Sequence, residues 1–217
     1  MKYLKMLALA AVAAGALMAF IGAGSASASV VCSTSVDPCP TGQKWTAGTA
    51  LEFSIPAGQS ANLVETNNPP AENGESINTC KESTVGGKIT KVGSSTETVT
   101  GEITALTWKG CTFPTTTTVL GKLEIHKIVG GGGNGTLTAD GETRVTINTV
   151  FFGSCVYTVE SGKSIGDVTE GNPSVFHANA VAHKREGSNF ACPTTAVWTA
   201  TYEQTVPAGT TFYVTNG

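Results

Sequence analysis

The chain has 217 residues, of which only 13% are charged, and its 13 Lys and Arg against 16 Asp and Glu give a net charge of −3. A nucleic-acid partner is bound largely by phosphate neutralisation and calls for a basic face; Lys and Arg here are few and scattered, so nucleic acid is excluded as a partner. The chain beyond residue 28 is rich in Thr, Val, Gly and Ser and poor in Leu, Met and Glu, a composition that suits pleated sheets rather than helices.

The first segment reads as a secretory leader. Lys2 and Lys5 form a positive head, Leu7 to Ile21 is an almost unbroken apolar run, and Ala26-Ser27-Ala28 has the small-x-small pattern of a cleavage site. A membrane span needs about 20 apolar residues; this run is shorter and ends in Gly and Ser. Cleavage is expected after Ala28, leaving 189 residues (217 minus 28). Acylation at Cys32 is disfavoured because Ser29-Val30-Val31 lacks the small residue expected just before such a cysteine. The C-terminal Phe212-Tyr213-Val214-Thr215-Asn216-Gly217 shows no sorting tail. The expected location is therefore extracellular, with the membrane met only through the leader before its removal.

All six cysteines follow the leader: Cys32, Cys39, Cys80, Cys111, Cys155 and Cys192. An even count in an exported chain implies disulfides, and six cysteines allow 15 full pairings. Nearest neighbours are the expected pairs. Cys32 and Cys39 close a short loop turned by Pro38. The other two pairs rest on an internal likeness: Cys80 precedes Gly86-Gly87-Lys88-Ile89 and Cys155 precedes Gly162-Lys163-Ser164-Ile165, while Pro and paired Thr follow both Cys111 and Cys192. A zinc site is excluded by spacing, with no Cys-x-x-Cys and no histidine pair at ligand separation.

Strands are predicted along most of the remainder. Ala50 to Ile55 and Ser60 to Glu65 are split by the turn Pro56-Ala57-Gly58, and Asn67 to Gly74 is a polar loop. This divides the chain into N-terminal strands over 29–75 and a main β domain over 76–217. Thr96 to Trp108 and Val119 to Val129 are long strands, the latter with Leu123 and Ile125 on one face and Glu124 and His126 on the other. Gly130 to Gly135 is a mobile glycine turn. Thr136 to Phe152 is a predicted hairpin about Asp140-Gly141. Cys155 to Val159, Val175 to His183, Ala196 to Thr205 and Thr211 to Thr215 complete the set, with Lys184 to Asn189 as a polar connection. Strands at such spacing, without crossover helices, specify an all-β fold: an antiparallel β-sandwich or partly closed barrel, braced by disulfides. Alternation assigns Leu106, Trp108, Val145, Ile147, Phe151, Trp198, Ala200 and Tyr202 to the core. The functional reading of those rings, a sugar-stacking platform, requires them exposed in a row.

Chemistry is harder to find. His126, His177 and His183 are the three histidines; the last two share a strand face at roughly 20 Å separation if extended, and each suits a surface or structural role. There is no Gly-x-Ser-x-Gly elbow and no triad spacing. Glu102, Glu124, Asp140, Glu142 and Glu160 fall mostly on polar faces or turns, where a glycosidase pair could be assembled only by the fold. Gly130 to Gly135 lacks the Lys-Ser/Thr ending of a phosphate cradle. Asn134-Gly135-Thr136 matches a glycosylation acceptor, and Asn67, Asn68, Glu72 and Asn73 form a weak calcium candidate beside their turn role. No cofactor, metal or catalytic residue is assigned.

The stretch from Cys80 through Thr100-Gly-Glu-Ile-Thr-Ala-Leu-Thr-Trp108 to Cys111, with Cys155-Val-Tyr-Thr and Cys192-Pro-Thr-Thr-Ala-Val-Trp, resembles uncharacterised secreted proteins of high-GC Gram-positive bacteria over roughly residues 76–217. That resemblance implies an exported, disulfide-bonded β protein and carries no site residues. The expected function is that of a non-enzymatic extracellular domain, structural or binding a cell-wall polysaccharide or surface protein. The alternative is a secreted hydrolase with a fold-assembled carboxylate pair.

Overall fold

The computed structural model describes residues 28–66, 74–149 and 153–217. Residues 1–27 of the expected leader, Asn67 to Asn73 with its calcium candidates, and Phe151 lie outside the described residues. The strands are β1 (Ser29–Cys32), β2 (Ala50–Ser54), β3 (Ala61–Glu65), β4 (Ser76–Lys91), β5 (Val99–Cys111), β6 (Thr115–Val119), β7 (Lys122–Lys127), β8 (Gly135–Ala139), β9 (Thr143–Thr149), β10 (Gly153–Val159), β11 (Ser164–Thr169), β12 (Val175–Lys184), β13 (Thr195–Val206) and β14 (Tyr213–Asn216). All the pairing is antiparallel, and there is no helix among the described residues.

The all-β, disulfide-braced fold takes the form of a closed eight-stranded barrel with a second sheet. Its staves run β4, β5, β7, β8, β11, β12 and β13, and the ring is completed by β2 and β3 acting as one broken stave. The break is the turn at Pro56, where Gln59 N–H donates to Pro56 O and Gly58 adopts a positive φ of 84° that a side chain would oppose. On one flank β2 pairs Thr84 to Lys88 of β4 and β3 pairs Ser76 to Cys80; on the other flank both pair β13. The N-terminal strands thus sit in the same barrel wall as the later ones.

The second sheet, β6–β9–β10, joins the barrel where Tyr157 and Thr158 of β10 pair Lys184 and His183 of β12. Its inner face brings Val145, Ile147, Tyr157 and Val159 onto the barrel core. At the opposite end β1 and β14 form a ribbon, and Val31 and Val214 pack with Trp45, Ile89, Val99, Ile125, Val168 and Phe212.

Aromatic rings connect the two ends. Trp45 meets Phe212 at 5.5 Å, Phe212 meets Phe53 at 6.4 Å, Phe53 meets Phe176 at 6.3 Å, Phe176 meets Trp198 at 6.4 Å and Trp198 meets Trp108 at 5.5 Å, all edge-to-face. Tyr202 stacks on Phe176 at 5.7 Å. Such pairs add about 0.5–1.5 kcal/mol each beyond area burial. Leu106, Trp108, Trp198, Ala200 and Tyr202 all belong to this interior.

β1, β4 and β11 fall where the sequence placed no strand, and two of the predicted elements take another form. The expected hairpin at Asp140-Gly141 does not form. β8 pairs β7 and β11, whereas β9 pairs β6 and β10, so the turn carries the chain from barrel to second sheet. Its backbone groups are taken by neighbouring staves: Asp140 N–H donates to Lys122 O, Ala139 N–H to Lys163 O, and Gly162 N–H to Ala139 O. The expected strand Val119 to Val129 is likewise split at Gly121, where a Cβ would lie 2.5 Å from Thr143 Oγ1.

The disulfides are Cys32–Cys39, Cys80–Cys111 and Cys155–Cys192; three such bonds are typical of extracellular proteins. The second staples directly paired positions on β4 and β5, and the third ties β10 to the chain entering β13. Non-reducing digestion should release linked peptides of these three pairs, and a Cys80–Cys155 link would contradict the fold. Removing Cys155–Cys192, which spans 37 residues, should cost about 2–4 kcal/mol in denaturant titration.

Burial also fixes an alkaline limit. Desolvation pushes the Tyr157 and Tyr202 hydroxyls well above the ordinary value of 10.0, although Tyr157 donates to Pro193 O and Tyr202 is hydrogen-bonded to Ser83 Oγ. Because the folded pKa is raised, the stability these groups contribute is complete below about pH 10 and is lost as pH rises further. Ultraviolet titration should show both tyrosines un-ionised until the protein unfolds in alkali.

Candidate functional site

The connection from β12 to β13 is a rigid ledge. Its residues lie along the outer edge of β10: Arg185 N–H donates to Val156 O at 2.9 Å, Asn189 N–H to Ser154 O at 3.0 Å, and Val156 N–H to Ser188 Oγ at 2.9 Å. This covers a strand edge that would otherwise offer unpaired amides. Within the ledge, Cys192 N–H donates to Asn189 O and Ala191 N–H to Asn189 Oδ1. The Lys184 ammonium donates to Cys192 O at 2.8 Å and to Phe190 O at 3.4 Å. The Cys155–Cys192 bond pins the far side.

This framework holds Phe190 in water, 92% exposed. Burying a Phe side chain is worth about 1.5–3 kcal/mol, a gain that Phe190 forgoes in this conformation. Beside the ledge is a hollow of about 520 Å³ lined by Arg144, Val156, Lys184, Arg185 and Glu186. Arg144 and Arg185 are the chain's two arginines, and both converge on Glu142. Its Oε1 accepts Arg144 Nε–H at 2.8 Å and the Thr158 hydroxyl at 3.4 Å, and its Oε2 lies 3.7 Å from Arg185 Nη2. The Arg144 hydrogen bonds hold the Glu142 carboxyl below its ordinary value, assisted by the charges of both arginines. A guanidinium carries five N–H donors, and these side chains stay 37% and 46% exposed, so the hollow presents oriented cationic donors to an incoming anion.

The other candidates are dispersed. Glu102 pairs with Lys88 at 2.8 Å, and Glu124 pairs with His126 at 3.3 Å on the outer face of β7. Asp140 and Glu160 sit exposed at turns. His177 lies beside Thr201 on the outer barrel face, and His183 is at the junction with the second sheet. Gly130 to Gly135 is held rather than free: Val214 N–H donates to Gly133 O, and a Cβ at Gly133 would collide with the Tyr213 ring at 2.0 Å. Asn134 Oδ1 accepts Glu170 N–H. No metal-holding cluster of His, Cys, Asp or Glu occurs among the described residues. The rings expected as core, Trp108, Trp198 and Tyr202, face the barrel interior and form no exposed row.

Phe190 was hidden in the sequence because Gly-Ser-Asn-Phe-Ala-Cys reads as a polar loop. The usable signal was a lone large aromatic two residues before a disulfide cysteine.

The barrel interior also contains space. One apolar void of about 50 Å³ lies under the second sheet and another of about 60 Å³ lies toward the β1–β14 ribbon; both are bounded by Leu106 and Trp198. Unfilled core volume costs about 24 cal/mol per Å³, so together they forgo about 2–3 kcal/mol of packing. The Trp198 indole N–H is buried near the Tyr202 hydroxyl without reaching hydrogen-bond geometry.

No protein-family model, curated protein or solved structure matches this chain.

Replacing Glu142 with Gln should lower stability at neutral pH by less than about 1 kcal/mol, the ceiling for exposed ion pairs. A lowered folded pKa means that this contribution exists above the ordinary value of 4.5 and fades as pH falls through the folded pKa. Denaturant titrations of both forms should therefore differ at neutral pH and converge as pH falls below 4.5 and through the folded pKa.

Proposed function

We propose that this is a secreted, non-enzymatic binding domain, and that Phe190 with the adjoining arginine hollow is its contact surface for an anionic cell-wall polysaccharide or surface protein. The carrying observation is the exposure of Phe190 on a loop tied down by backbone hydrogen bonds and by Cys155–Cys192. A large aromatic fixed in its exposed conformation meets a partner with little ordering cost, which is how binding hot spots act. The arginines add donors suited to carboxylate or phosphate. The leader over residues 1–28 and the disulfides support export. Glu142 supports binding over hydrolysis, because two guanidinium groups keep it ionised where a glycosidase acid needs a raised pKa.

A pull-down of the processed protein against cell-wall fractions and purified polysaccharides tests the reading. Binding is expected, and Phe190→Ala should weaken it about tenfold or more, matching a hot-spot loss of about 1.4–2 kcal/mol. Arg185→Ala should weaken it less and reduce its salt dependence. Wild-type retention by no fraction, or undiminished retention of Phe190→Ala, would contradict the proposal.

A further inference from the structure

We infer that the barrel interior is a second, independent binding site, for a small uncharged hydrocarbon, divided into two lobes by Leu106 and Trp198. Eight strands give a barrel just wide enough either to be filled by side chains or to hold one small ligand. Here the filling is incomplete in both directions from the same partition. The lobe under the second sheet is bounded by Ala61, Ala182, Val145 and Ile147, and the other by Leu123, Ile165 and Val168. Small residues at 61 and 182 leave the first lobe open, since nothing larger projects from those positions. At the second lobe the ionisable neighbours Lys88 and Glu102 are exposed at the wall and paired with each other, and at the first lobe the polar neighbours Asn78, Thr115 and Tyr157 are hydrogen-bonded within the protein. Apolar cavities of this kind stay dry and accept xenon or, when near 150 Å³, benzene. At about 50 and 60 Å³ each lobe is sized for a monatomic guest, and a ring-sized guest requires the partition to move. The wall of the second lobe includes Gly86, Gly87 and Gly101, and the β4–β5 register shifts between Gly86 and Gly87.

Xenon titration of the methyl-labelled processed protein, followed by NMR, tests this directly. Saturable shifts are expected for Val145 and Ile147 in one lobe and for Ile165 and Val168 in the other. Benzene should bind Leu106→Ala at least tenfold more tightly than wild type, with a change in Trp198 fluorescence, because that substitution fuses the lobes. Should Leu106→Ala fail to fold, the filling variants Ala182→Val and Val168→Ile serve instead: each should abolish the xenon response of its own lobe and leave the other intact. Xenon shifts absent from both lobes, or unchanged by the filling variants, would overturn the inference. The outcome is separable from the surface proposal, because Phe190→Ala should leave the xenon response untouched.

Discussion

The structure depends on the backbone ladder that closes the barrel. β4 and β13 would each present an open edge if the chain did not insert β2 and β3 between them, and the broken stave satisfies both edges at once. Closure removes the edge as a site of unwanted pairing. It also turns the apolar faces of the staves toward one enclosed interior, where the rings from Trp45 to Trp108 pack in sequence. The turn at Pro56 lets one stave bend to follow the neighbouring wall, so a short local signal serves a global constraint.

The candidate surface follows from that closure. The second sheet attaches where β12 has run past its pairing with β11, at His183 and Lys184. The chain leaving that point must return to β13, and in doing so it covers the edge of β10. The return path is anchored by main-chain bonds to β10, by Lys184 and by Cys155–Cys192. Phe190 stands at its crest between Asn189 and Cys192, whose backbone N–H and C=O groups are engaged elsewhere. Exposure of this side chain is thus built into the covalent and hydrogen-bonded frame.

Much of the fold was legible in the sequence, and its failures have physical causes. Alternation placed Leu123 and Ile125 on one face opposite Glu124 and His126, and Leu106, Trp108, Trp198 and Tyr202 in the core, because period-two patterning reflects a wall with one buried face. It missed β4, the longest strand at 16 residues, since Ser, Glu, Lys and paired Gly mask a stave whose neighbours do most of its burying. The turn at Asp140-Gly141 was visible, but turn chemistry fixes a reversal and not the identity of the strands that pair. The candidate site was less legible still. The convergence of Arg144 and Arg185 on Glu142 joins residues 41 positions apart (185 minus 144), and the exposure of Phe190 depends on a loop trajectory that composition does not encode.

Amide hydrogen exchange on the protein tests closure most directly. Phe53 and Glu65 lie in the broken stave, and their protection should match that of Ala180 and Trp198 in the β12–β13 ladder, all exchanging through one global opening. Fast exchange along β2 and β3, with slow exchange elsewhere, would mean an open sheet with two free edges and would contradict the barrel.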